Sequence, residues 1–274
     1  VSPLPDACAA ITTGDIHTAG MLSGGAGSWG ACRRWIDQHG TDGLVLLFTD
    51  VGGDPANPHT GEDPDTLRFL DDAAADLGAP LVKLRDGRDI WDVFWQKRWL
   101  GNTQVAHCSW ELKTTPVRQW LEQNAPRVQR IIVGIDATED HRAAGISAKY
   151  APYEAVFPLM ERPYLWKPQL LDMLRERGIV PPRMYRLGFA HANCRGCVKA
   201  GQGHWLRLLR VFPDEYAYAE AQEEKLRAEL GDVAILRDRT GGETVPLTLA
   251  EFRRRADDDH GQIDLFEEGG CACF

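Results

Sequence analysis

The stretch Ser23-Gly24-Gly25-Ala26-Gly27-Ser28 places three glycines in four positions, with a serine at each end. Glycine lets backbone N–H groups come close to an anion, and serine hydroxyls can donate to phosphate oxygens. A helix starting directly after such a loop would add the favourable polarity of its N-terminus. The chemistry this predicts is phosphate binding, and the alternative is a flexible turn. No Gly-Lys-Ser/Thr follows, so it is not a Walker loop, and the glycine spacing is wrong for the dinucleotide fingerprint. A second group of residues is sulfur-bearing. Cys194 and Cys197 form a C-x-x-C pair, a spacing that aims two sulfurs at one centre. Cys108, Cys271 and Cys273 add three candidates from two other segments.

Three arrangements of these thiols stand open. Cys108, Cys194, Cys197 and a tail cysteine (Cys273) would hold an iron–sulfur cluster. The same four would hold zinc, with His191 or His204 as a substitute ligand. In the third, the C-x-x-C pair binds metal while Cys271 or Cys273 is a mobile nucleophile, swung by the Gly269-Gly270 hinge. A lone C-x-x-C is also compatible with a redox dithiol. Cys32 falls within an expected helix and reads as a small buried apolar residue.

Strand and helix patterns position these groups. A short strand near residues 18–22 precedes the loop, and a helix over 29–38 follows it. LVLLFTDV (44–51) is a continuous apolar run of the kind found in buried parallel strands. Asp63-Pro64 reads as an N-cap followed by proline at the first helical position, and Gly78 ends that helix. APLVKLRD is the next strand and DIWDVFWQKRWL the next helix. A helix starts at Thr115-Pro116 and ends near Asn124, and residues 127–136 form another buried strand. Alternating strands and helices predict a doubly wound, Rossmann-like α/β domain over residues 1–160. Residues 161–274 read as a helical, cysteine-containing region, with helices over 166–177, near 204–209 and over 216–230. Trp29, Trp35, Trp91 and Trp95 are expected in the core or its walls. Tyr185 and Phe189 are expected to pack, with base stacking as the alternative.

The 274 residues are 43% hydrophobic, enough for a substantial core. No run of eighteen apolar residues occurs and VSPLPDACAA lacks the features of a secretory signal, so a cytoplasmic protein without membrane partners is expected. Seven cysteines in that setting suggest metal or redox chemistry over structural disulfides. The net charge of −9 argues against a nucleic-acid coat protein, but it is uneven. Residues 162–210 carry ten Lys/Arg against two acids, a local +8 suited to an anionic ligand.

SGGAGS resembles the SGGxDS pyrophosphate loop of the phosphoadenosine phosphosulfate reductase and ATP pyrophosphatase family. The resemblance continues through FTDVG (48–52), DTLRFL (65–70), HCSWELKTTPVRQWL (107–121) and GIDATEDHR (134–142), covering roughly residues 15–210. It implies an adenine nucleotide alpha hydrolase-like fold and an adenine nucleotide, ATP or a phosphosulfate, on Ser23, Gly24, Gly25, Gly27, Ser28, Thr49 and Asp50. It places Lys113 and Arg142 beside phosphate or sulfate oxygens. Because Cys108 lies in the lysine-bearing motif, the resemblance favours the iron–sulfur arrangement. The implied activity is ATP-dependent adenylylation, with magnesium, and sulfur transfer from a donor protein to a nucleobase or nucleic-acid acceptor. The alternative is thiol-dependent release of sulfite from a sulfonucleotide, with Cys271 or Cys273 as nucleophile. A nucleotide-binding module without catalysis is the third reading. One departure stands out: Gly27 occupies the position where the family carries aspartate. Asp50 and Asp54 are the expected substitutes for that carboxylate.

Overall fold

The computed structural model describes residues 2–3, 15–102, 105–239 and 242–258. In chain order these form β1 (Ser2–Pro3), β2 (Thr18–Met21), α1 (Ala26–His39), β3 (Leu44–Asp50), α2 (Pro64–Leu77), β4 (Leu81–Arg85) and α3 (Ile90–Lys97). There follow a π-helical turn (Trp110–Thr114), α4 (Thr115–Asn124), β5 (Arg130–Ile132), α5 (Ala143–Tyr150), β6 (Glu154–Val156) and α6 (Lys167–Glu176). The remainder is α7 (Arg183–Arg186), α8 (Gln202–Val211), α9 (Pro213–Leu230), β7 (Leu236–Asp238), β8 (Val245–Leu247) and α10 (Leu249–Asp257).

The main sheet runs β1-β4-β3-β2-β5-β6. Its last five strands are parallel, and β1 closes the β4 edge antiparallel. This is the doubly wound α/β architecture expected from the sequence. Every residue of β2 and β3 is buried, as continuous apolar strands covered on both faces must be. Local signals set the flanking helices. The Asp63 carboxylate caps α2 by accepting the Asp65 N–H, Pro64 follows, and Gly78 ends the helix in the left-handed region. Asp89 and Asp92 form a capping box at the start of α3.

The division near residue 160 does not separate two cores. Leu170 and Leu174 of α6 belong to one buried cluster with Trp29 of α1 and Phe69 of α2. Trp91 and Phe94 of α3 share another cluster with Trp205 of α8, Tyr216 of α9 and Phe252 of α10. Cys108, Cys194 and Cys197 lie in that same cluster. The expected helical region also contains the antiparallel hairpin β7–β8 and the unforeseen α10. Strands of three residues are too short to display an alternating pattern. Cys32 is fully buried in α1, and burial pushes its thiol up to about 12, in keeping with a packing role.

Candidate functional site

Strands β3 and β4 lie on one side of β2, and β5 and β6 on the other. In doubly wound sheets, ligands bind past the carboxyl ends of the strands where the winding reverses. Loop 23–28 leaves β2 at that point, beside the segment that leaves β5. A cavity of about 270 Å³ opens there. Ser23, Gly25, Gly27 and Ser28 line one side, and Gly134, Asp136 and Glu139 line another. Lys167, Tyr185 and His191 reach it from the C-terminal half.

Backbone contact shapes the cavity. A Cβ on Gly134 would lie 2.5 Å from Ser28 Cα, and one on Gly27 would lie 3.0 Å from the Gly134 carbonyl oxygen. The two segments touch main chain to main chain, which gives a physical reason for glycine at position 27. Gly24 has φ +84, the left-handed region, and a Cβ there would also strike Thr66 at 2.3 Å. Gly24, Ala26 and Ser28 are buried, while Ser23, Gly25 and Gly27 retain exposure toward the opening.

Ser28 departs from its expected role. Its hydroxyl donates to the Gly25 carbonyl at 2.9 Å and accepts the Ser23 N–H at 3.1 Å, so its proton holds the loop together. The N-cap position of α1 is Gly25, which has no side chain to offer. Tyr185 supplies an acceptor instead, its hydroxyl oxygen taking the Ala26 N–H at 3.1 Å. Burial raises the Tyr185 phenol above its ordinary pKa. Lys167 donates to the Ala190 carbonyl, with its Nζ 5.9 Å from the Tyr185 ring centre. Asp136 accepts from the Thr138 N–H and hydroxyl at 2.9 and 2.6 Å.

The residues assigned by resemblance divide among three places. Ser23, Thr49 and Lys113 share a small cavity of about 20 Å³ between the ends of β2 and β3. The hydroxyls of Thr49 and Thr66 are buried without a hydrogen-bond partner. Asp50 instead pairs with Arg85 and lines a separate cavity of about 580 Å³ with Asp54 and Glu62. The two expected substitutes for the missing loop carboxylate therefore do not line the loop cavity; Asp136 and Glu139 do. Arg142 does not line it either. It is ion-paired with Glu139 and reaches the site through that carboxylate.

Lys113 is buried and pairs with Glu62 at 3.2 Å. Glu62 also accepts the Val51 N–H at 3.3 Å. Desolvation raises its carboxyl pKa, against the opposing pull of Lys113. Glu62 was not singled out in the sequence, where it reads as one polar residue in a turn. Tyr185 and Lys167 carry no motif at all, and only the fold brings them to the loop.

Cys194 is hydrogen-bonded to Cys197, and this bond, followed by burial, pushes the Cys194 thiol well up. Lys113 lies close enough to oppose that rise, so the sulfur pair and the buried lysine are electrostatic neighbours. Among the described residues, no three His, Cys, Asp or Glu side chains form a group able to hold a metal ion. Cys271 and Cys273 lie outside the described residues. The described thiols alone therefore do not fit an iron–sulfur or zinc centre.

The +8 segment is not a +8 surface. Arg175 pairs with Asp172, Arg177 with Asp76, Arg183 with Asp63 and Arg195 with Glu215. Two of these carboxylates, Asp63 and Asp76, come from α2 and its cap, far away in sequence. Among the described residues, no helix is long and apolar enough to cross a membrane.

No family model matches the chain, and no curated protein matches it. Among solved structures, the chain is similar to the NH3-dependent NAD synthetase from Campylobacter jejuni subsp. jejuni NCTC 11168 in complex with the nitrate ion. The likeness covers 79% of this chain and 84% of that one, at 10% identity and a TM-score of 0.36, too distant to carry a functional argument.

Proposed function

We propose that the chain is an enzyme that binds ATP at loop 23–28, adenylylates an acceptor with release of pyrophosphate, and supports sulfur transfer to that acceptor. The observation that carries this reading is the glycine-lined cavity at the switch point, whose lining brings together Ser23, Gly25 and Gly27 of the loop, the carboxylate-bearing Asp136 and Glu139, and Lys167. The loop and the α1 N-terminus would bind the phosphates, and Lys167 and Lys113 would supply positive charge. An acceptor oxygen attacks the α-phosphorus. The bond from that phosphorus to the bridging oxygen breaks, and pyrophosphate leaves with the electron pair. Sulfide then displaces AMP from the activated carbon of a nucleobase, free or within a nucleic acid. Where a donor protein's persulfide attacks instead, a second thiol of the donor must cleave the resulting acceptor–donor disulfide, forming a donor disulfide and freeing the thiolated base. Magnesium, when bound, would offset phosphate charge, and Asp136 and Glu139, the carboxylates lining the loop cavity, would hold it. Arg142 would keep Glu139 in place.

A second reading is sulfonucleotide reduction, favoured by Gly27 in place of a metal-binding aspartate and by the thiol pair beside Lys113. There a tail thiolate, Cys271 or Cys273, attacks the sulfonate sulfur, the nucleotide leaves, and a second thiol releases sulfite as a disulfide forms.

The deciding experiment offers ATP with magnesium, sulfide and bulk RNA as acceptor, or a phosphosulfate nucleotide with a dithiol, to the protein and to Gly25→Val. Pyrophosphate and AMP formed by the parent alone support the first reading. Sulfite formed without ATP supports the second. Nucleotide binding with neither product leaves a binding module. Gly25→Val is expected to weaken nucleotide binding at least 100-fold, about 2.7 kcal/mol, because its branched side chain blocks approach to the loop N–H groups. Equal binding by a folded variant would refute the loop assignment.

A further inference from the structure

The end of α3 and the C-terminal hairpin enclose another cavity, of about 310 Å³, which shares no lining residue with the loop cavity. Leu100, Leu230, Val233 and Pro246 give it an apolar wall. Arg98 and Arg237 also line it. The Arg237 Nε is buried and has no hydrogen-bond partner. Nearby carboxylates are engaged elsewhere. Asp232, in the cavity lining, pairs with Arg227 at 3.1 Å, and Asp238 pairs with Arg255 at 2.6 Å. A guanidinium donor enclosed by apolar groups is costly until an acceptor reaches it.

Arg98 adds an independent observation. It ends α3 with φ 49 and is the sole non-glycine with positive φ among the described residues. Glycine would adopt this conformation without strain. The Arg98 pair with Glu229 spans 3.8 Å with both side chains more than half exposed (67% and 55%), a contact too loose to account for arginine there. Arg98 instead lines the cavity that also holds Arg237, whose Nε is buried without a hydrogen-bond partner.

We propose that this cavity binds a small organic anion, its apolar body against Leu100, Leu230, Val233 and Pro246 and its anionic head on Arg237, with Arg98 at the rim. The volume lies at the small end of the range for ligand sites. The site is separate from the nucleotide reading and does not depend on it.

Calorimetric titration with octanoate, and with 1-octanol as the uncharged counterpart, tests this directly. Saturable binding of octanoate at one site per chain is expected, with 1-octanol at least tenfold weaker. Arg237→Gln should weaken octanoate at least tenfold, and Ala234→Phe should abolish its binding by filling the cavity. Arg98→Gly should raise Tm while weakening octanoate several-fold, a combination that a purely structural arginine would not give. The proposal fails if the parent does not bind octanoate saturably, or if 1-octanol binds equally well. It fails equally if folded Arg237→Gln and Arg98→Gly both bind as the parent does. Should Arg237→Gln not fold, Ala234→Phe and Arg98→Gly still decide it.

Discussion

Tyr185 occupies the hydrogen-bonding position that a phosphate oxygen would need at Ala26. Its hydroxyl oxygen accepts the first free N–H of α1, so nucleotide binding at this position must displace it. Tyr185→Phe is expected to lower stability by about 1 kcal/mol, because the Ala26 N–H loses its partner. The same change should tighten nucleotide binding several-fold, since no internal acceptor then competes. A titration in which affinity falls would make the phenol a phosphate donor rather than a competitor. Gly134 makes the opposite kind of contact. Its α-hydrogen faces the Ser28 main chain, and an added methyl carbon would sit 2.5 Å from Ser28 Cα and 2.6 Å from Ser28 N. Gly134→Ala should therefore cost about 3 kcal/mol, the upper end for overpacking, and abolish nucleotide binding with it. A Tm within two or three degrees of the parent would show that the two segments separate freely.

Helix α2 does more than flank the sheet. Its cap Asp63 is fully buried, accepts the Asp65 N–H at 2.9 Å, and pairs with Arg183 at 2.7 Å at the start of α7. Asp63→Ala removes a cap and leaves Arg183 without this partner; a loss of about 2–4 kcal/mol is expected. Asp63→Asn keeps an acceptor for the Asp65 N–H and should lose less, which urea midpoints for the two variants would reveal. The cap itself was legible in the sequence, because Asp-Pro ahead of a helical apolar repeat is a local signal. So were the parallel strands, whose apolar runs are dictated by burial on both faces. The Asp63–Arg183 tie was not legible, because it joins residues 120 apart and nothing in the pattern near either one encodes the other. The candidate site divides along the same line. The loop glycines carry their own geometric requirement and were readable. Lys167, Tyr185, Asp136 and Glu139 arrive through tertiary packing, and the local charge count of the basic segment omits Asp63, Asp76 and Glu215, which pair with its arginines from other elements.

Two buried titratable groups couple the C-terminal half to pH with opposite signs. His204 lies against Phe189 and Trp205, its Nε2 donating to the Arg195 carbonyl at 2.7 Å, and burial pushes the ring down from 6.5 to about 4. Glu223 accepts the Ile235 N–H at 2.8 Å and the Leu249 N–H at 2.6 Å, joining α9 to the hairpin and to α10. Burial pushes its carboxyl up from 4.5 to about 7. Below pH 6.5 the unfolded chain protonates His204 while the folded chain does not, so stability declines as pH falls toward 4. Above pH 4.5 the unfolded chain releases the Glu223 proton while the folded chain retains it, so stability declines as pH rises toward 7. Between these limits the two contributions oppose each other, and the parent conceals both. Difference measurements separate them and cancel other groups, including the Glu62 and Asp89 carboxyls that burial also raises. Relative to the parent, His204→Gln should gain up to about 3 kcal/mol as pH is lowered from 6.5 to 4. Glu223→Gln should gain a similar amount, up to about 3 kcal/mol, as pH is raised from 4.5 to 7, above a fixed loss because one N–H then faces an amide NH2. Urea unfolding of the three proteins across pH 4–7 measures both slopes. Variant curves that run parallel to the parent would mean that these two groups titrate alike in the folded and unfolded chains, and that the packing around α8 and α9 admits water to both.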